Sequence, residues 1–178
     1  MSKLETNTID TVSGTTNLTI GSTNTSTVTV PNGSLSGANA PYFSAGNNAN
    51  QSIPASTLTK ISLNTVNYNV GVTFDTTNSR FTVPTGCAGK YWFWGNINLA
   101  SGDDKRYDGI IYKNGSAVNT TYTREVTGGG AGSVQIPVYG LIDLAVGDYV
   151  EYYVTCTNAS SQNTNSGFTI FSGYRIGA

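Results

Sequence analysis

The side chains able to do chemistry are few, and their spacing narrows what that chemistry could be. Asp103 and Asp104, with Asp108 close by, form the only acidic cluster. Oxygen ligands gathered in a loop are what Ca²⁺ takes, so Asp103 and Asp104 are a weak candidate for a metal pair. Lys105 and Arg106 separate them from Asp108 and offset most of the charge. A solvated turn with local ion pairs competes with the metal reading. A glycosidase sets two carboxylates ~5–10 Å apart across a cleft; Asp104 and Asp108 could stand that way, but nothing around them builds a cleft. Gly128-Gly129-Gly130-Ala131-Gly132 lacks the Lys-Ser/Thr and the helix of a phosphate loop and reads as a connection between strands. The chain has no His, which removes Ser-His-Asp and Cys-His catalysis and every His-containing metal site. Cys87 and Cys156 read as buried thiols rather than as a disulfide. These residues predict no catalytic centre, no cofactor and no enzyme.

Composition bounds the partners. Charged residues make up 11% of the 178 positions, against about 25% in an average soluble protein. With a formal net charge of −1, no basic surface is large enough to hold nucleic acid through its phosphates. The apolar runs are far shorter than a membrane span. Met1-Ser2-Lys3-Leu4-Glu5-Thr6 leads into polar sequence with no apolar core of a signal peptide. Aromatics at 11%, gathered after position 40, argue against disorder.

The elements that must position these residues are strands. In residues 1–40, Leu18 and Ile20, then Val28 and Val30, alternate with polar residues, the period of short half-buried strands. Four inward apolar side chains bury too little to be stable alone. The arm either docks on a partner surface or another copy, or it is a polar leader. Residues 32–60 read as a Gly/Asn/Ser/Pro-rich lead-in containing Pro41-Tyr42-Phe43-Ser44-Ala45. Strand-like runs follow over 60–68, 72–75, 80–84, 90–99, 108–113, 116–125, 133–144, 149–157 and 168–176. Asn114-Gly115 marks a hairpin turn, and Gly147-Asp148 a break. No window carries a ten-residue amphipathic helix. The fold class is all-β, a sandwich or barrel.

The strand order carries further information. Phe81-Thr82-Val83-Pro84 precedes Gly89-Lys90-Tyr91-Trp92-Phe93, and Tyr112-Lys113-Asn114-Gly115 follows. Next comes the run from Leu141 to Val150 with Gly147-Asp148, and the chain closes on Phe171-Ser172-Gly173-Tyr174-Arg175-Ile176. Over roughly residues 41–178 this succession resembles the globular head of complement component C1q and its tumour-necrosis-factor-like relatives. The resemblance implies a jelly-roll sandwich that assembles as a tight homotrimer. It implies a core containing Phe81, Tyr91, Phe93, Val150 and Phe171, with close backbone approach at Gly173. Alternation sends Tyr91, Phe93 and Ile97 to one face of their strand and Trp92, Trp94 and Asn96 to the other. In such heads that strand faces the threefold axis, which would place Trp92, Trp94 and Asn96 at the trimer interface. The two indoles could instead cover loops of their own chain or form an exposed stacking surface. Val150, Tyr152 and Val154 read as the inward set of a later strand.

Thr/Asn-rich chains with such heads look like virion proteins of tailed bacteriophages. The resulting expectation is a non-enzymatic structural protein on a virion surface, made in the host cytoplasm. Residues 1–40 would anchor a homotrimeric capsid decoration or fibre protein to other virion proteins, and a head over 41–178 would project. A receptor-binding tip for a host surface glycan or protein is the alternative, with Tyr107, Asn119 and Tyr122 as candidate ligand contacts. A secreted C1q-like soluble ligand is a second alternative.

Overall fold

The computed structural model describes residues 41–100, 105–128, 132–157 and 160–177. The arm with Leu18, Ile20, Val28 and Val30, and the Asp103–Asp104 pair, lie outside the described residues. In chain order the strands are β1 (Tyr42–Gly46), β2 (Ser52–Ile53), β3 (Thr59–Lys60), β4 (Thr65–Val70), β5 (Phe81–Thr82), β6 (Gly89–Leu99), β7 (Arg106–Lys113) and β8 (Ser116–Ala117). They continue as β9 (Thr123–Val126), β10 (Val134–Leu144), β11 (Tyr149–Cys156), β12 (Gln162–Asn163) and β13 (Ile170–Gly177). A single 3-10 turn, Asn119–Thr121, sits between β8 and β9. One antiparallel sheet runs β10-β6-β13-β1-β4; a second runs β3-β11-β7-β8, with β5 added to β11 and β9 to β7, and β12 and β2 form a separate two-stranded pair. Chain neighbours such as β6 and β7 lie in different sheets, so the fold is an all-β jelly roll.

Alternation makes the core. Along β6, Tyr91, Phe93 and Ile97 are fully buried while Trp92 and Trp94 are exposed. Phe43, from β1, stacks on Phe81 with ring centroids 5.0 Å apart and on Phe74 at 5.0 Å. Phe93 stacks on Phe171 at 5.8 Å, and Tyr152 meets the other side of Phe171 at 5.8 Å. Each fully buried ring contributes about 2–3 kcal/mol. Val150, Tyr152 and Val154 are all buried along β11. Cys87 and Cys156 are both buried, and neither forms a disulfide. At Gly173 the sheet leaves no space: an added Cβ would lie 2.5 Å from Phe93 Cδ1 and 2.9 Å from Phe43 Cε1.

Several elements differ from the sequence expectation, among them the run 116–125, which divides into β8, the 3-10 turn and β9. Tyr42–Gly46 is no lead-in; it is an inner strand hydrogen-bonded to β13 on one side and β4 on the other. Its five residues alternate too briefly to stand out from the polar stretch around them. The run 60–68 divides, because Thr59–Lys60 pairs with β11 in one sheet and Thr65–Val70 with β1 in the other. Residues 72–75 form no strand; Asp75 makes an isolated bridge with Arg80. The hairpin signal is met: Asn114 and Gly115 take φ of 50° and 77°, the left-handed pair that a two-residue turn needs.

Candidate functional site

The outer face of the five-stranded sheet gathers aromatic side chains from all five of its strands and aliphatic ones from its two edges. Cross-strand register builds it row by row. Tyr139 stands opposite Trp94, Trp94 opposite Ser172, Ser172 opposite Ser44, and Ser44 opposite Tyr68. The adjacent row reads Leu141, Trp92, Tyr174, Tyr42 and Val70. No charge interrupts either row. Trp92 is 37% exposed, Trp94 43%, Tyr139 52%, Tyr174 51% and Tyr68 55%. The Trp92 and Tyr139 rings lie 6.4 Å apart and nearly parallel, and Tyr42 meets Tyr68 edge-on at 6.0 Å. Between Tyr42, Tyr68, Ser172 and Tyr174 the face dips into a cleft of about 590 Å³. Lys90 and Asp143, paired across β6 and β10, mark one border. Asn96, on the same face, donates from Nδ2 to Gln135 Oε1 at 2.9 Å, so its amide is committed within the sheet.

Each exposed aromatic here offers about 100 Å², half of the ~200 Å² that such a side chain can bury. Six of them with Leu141 and Val70 approach ~800 Å², above the ~300–600 Å² of the largest patch on a typical monomer. That area equals one partner's share of a standard protein interface. Alternation in a recognised strand places Trp92, Trp94 and Asn96 on this face. Tyr139 and Leu141 carry a signal of the same kind, as apolar residues at the outward positions of β10, whose inward set is Val134, Ile136, Val138, Ile142 and Leu144. Tyr42, Tyr68 and Tyr174 join them only through sheet order.

The candidate ligand contacts do not form one surface. Tyr107 is a correction: it is fully buried, because β7 begins at Arg106 and alternation turns Tyr107 inward with Ile111. Tyr122 is 42% exposed, but its hydroxyl donates to Asp108 Oδ1 at 2.6 Å and accepts from Arg124 Nη2. Burial, and then Asp108, push the Tyr122 phenol up. Asn119 is exposed in the 3-10 turn. Asp108 is not a free carboxylate, since Arg106 Nε lies 2.9 Å from Oδ2 and Arg124 Nε 3.0 Å from Oδ1. On the same sheet, buried Glu151 takes Lys60 Nζ at 3.0 Å and the Tyr153 hydroxyl at 3.3 Å. Among the described residues no group of three or more His, Cys, Asp or Glu side chains is placed to hold a metal ion.

The C1q domain family model matches residues 42–176. Among solved structures, murine APRIL at pH 8.5 superposes with a TM-score of 0.56 at 11% identity, covering 77% of this chain and 99% of that one. Murine APRIL at pH 5.0 gives 0.56 at 9% identity with the same coverage. The globular domain of zebrafish complement 1qA gives 0.49 at 16% identity, covering 77% and 98%. A search of curated proteins by sequence gives no match. The APRIL likenesses speak for the fold alone, and the family match spans nearly the whole described sandwich: the chain belongs to the C1q domain family.

Proposed function

We propose that the protein is a non-enzymatic head that works as a homotrimer, with the aromatic faces of three copies packed around a shared axis. The uncharged aromatic band across β10, β6, β13, β1 and β4 carries this reading. Left in water, it would be an association hazard of ~800 Å². Covered by two neighbours, it removes at about 25 cal/mol/Å² enough apolar surface to outweigh the cost of bringing copies together. Trp92, Trp94, Tyr139 and Tyr174 are the anchors, because aromatic side chains dominate the energetics of such interfaces. The finer reading is a virion-surface role as a capsid decoration or fibre protein, with residues 1–40 docking on other virion proteins. It rests on the composition of the arm and its four alternating apolar residues.

Two measurements test these parts separately. Light scattering coupled to size exclusion is expected to give three times the 18.7 kDa of one chain, with both indoles shielded from a small quencher. A lone copy at micromolar concentration, with freely quenched indoles, overturns the assembly. A chain lacking residues 1–40 is expected to stay trimeric but to stop co-sedimenting with purified virions. Undiminished co-sedimentation overturns the anchor.

A further inference from the structure

One row beyond the aromatic band, the same sheet ends in a second cleft of quite different chemistry. Its volume is about 240 Å³, just below the ~300–1,000 Å³ of sites that enclose drug-sized molecules. Asn47, Asn48, Thr65, Asn67 and Thr169 line it, with Ile170 as the apolar wall and no charged side chain. The elements hold it open by register: Gly46 of β1 pairs with Ile170 and with Thr65, and the backbone of Gly167 donates to Asn47 O at 2.9 Å. A side chain at position 46 would crowd the cleft, since its Cβ would sit 3.0 Å from Thr169 O.

Two polar side chains are buried in this wall. Thr169 is 4% exposed, and its hydroxyl has no hydrogen-bond partner. Asn47 is also 4% exposed, and its Oδ1 accepts from Ala49 N at 2.7 Å. That leaves its NH₂ end for another acceptor. At the rim, Asn67 donates to Ser44 Oγ at 3.2 Å, which leaves its carbonyl oxygen as an acceptor.

We infer that this cleft binds a neutral, hydroxyl-rich ligand of the size of one sugar ring. Amides and a hydroxyl supply both donors and acceptors, as a ligand whose hydroxyls both donate and accept requires. The lack of charge disfavours carboxylates and phosphates, which need a cation or a cluster of N–H donors. Ile170 gives the C–H face of a sugar an apolar surface to cover. The site is separate from the contacts that the sequence suggested around Asn119 and Tyr122. It does not depend on the assembly proposed above.

The test uses the full chain and the methyl glycosides of glucose, galactose, mannose and N-acetylglucosamine, at millimolar concentrations, followed by amide chemical shifts. At least one is expected to shift the amides of Asn47, Asn48 and Gly167–Ile170 saturably. Asn48→Ala and Asn67→Ala, both at exposed lining positions, are each expected to weaken that binding by about tenfold. The inference is overturned if no glycoside shifts these amides, if saturable shifts fall elsewhere, or if both variants bind as the wild type does. Tighter binding of inorganic phosphate or sialic acid at the same amides also overturns it. The mass is measured alongside: a single chain that binds the sugar sinks the trimer and keeps the cleft, whereas a trimer that binds none sinks only the cleft.

Discussion

Replacing Trp94 by alanine removes one anchor of the aromatic face without touching the core. Trp94 is 43% exposed in the single chain, and a tryptophan presents up to about 250 Å². It therefore offers a neighbour about 100 Å², which at about 25 cal/mol/Å² is about 2.5 kcal/mol per copy. Three copies lose this together, so the trimer is weakened by about 7 kcal/mol, or about five decades in its association constant. The concentration of half-assembly varies as the inverse square root of that constant. It should rise by about two and a half decades. Sedimentation velocity over a concentration series reads this directly, and indole emission should move to longer wavelength as Trp92 becomes wet. The secondary structure should persist, because Tyr91 and Phe93 on the inward side of β6 are untouched. Val126→Ala, at a 68% exposed position in the other sheet, serves as the control and should leave the mass unchanged. The reasoning is refuted if Trp94→Ala assembles at the wild-type concentration, or if Val126→Ala disrupts the trimer as strongly.

Three further outcomes follow from the fold. Gly173→Ala drives a methyl to 2.5 Å from Phe93 and 2.9 Å from Phe43. It should cost about 3 kcal/mol or more, read as a lowered urea midpoint or as insoluble expression. Alkaline stability should fall in a defined window, because burial, the leading cause, pushes Tyr91 from 10.0 up to about 12 and lifts Tyr152 well above 10. The folded state holds these protons more tightly, so stability is intact below pH 10 and declines as pH rises from 10 through about 12. Tyr91→Phe should flatten that decline. Below pH 10 it should cost about 1 kcal/mol for the lost bond to Cys87 O. At the acid end, hydrogen bonds from Lys113, Asn114 and Ala145 N hold Asp148 at about 2, below its usual 3.8. Its contribution is present above pH 3.8 and lost as pH falls towards 2. Asp148→Asn should therefore be less stable than wild type by about 1 kcal/mol at neutral pH, with the gap closing near pH 2; thermal melts across pH measure it.

Side-chain facing was legible wherever a strand was long enough for its period to show. The eleven residues of β6 and of β10 separate their inward and outward sets without any knowledge of neighbours, because a pleated backbone turns successive Cβ atoms to opposite sides. Asn114-Gly115 announced its turn for an equally local reason, the left-handed backbone that both residues accept. Tyr107 was misplaced because the expected strand began at 108 and left it outside, whereas β7 begins at Arg106 and its alternation turns Tyr107 inward. The five residues of β1 were missed because local propensity is weak over so short a span. Non-local pairing decides such a strand.

Sequence by itself determined which residues are inward or outward along each long strand, that the chain is all-β, and which head family it resembles. Only the tertiary structure decided that Tyr42, Tyr68, Trp92, Trp94, Tyr139 and Tyr174 share one face, and that Asn47, Asn67 and Thr169 close on one cleft. The first set follows from backbone geometry acting between neighbours in the chain. The second depends on which strands the crossovers lay side by side: positions 42 and 174, at opposite ends of the head, come into register because β1 pairs with β13.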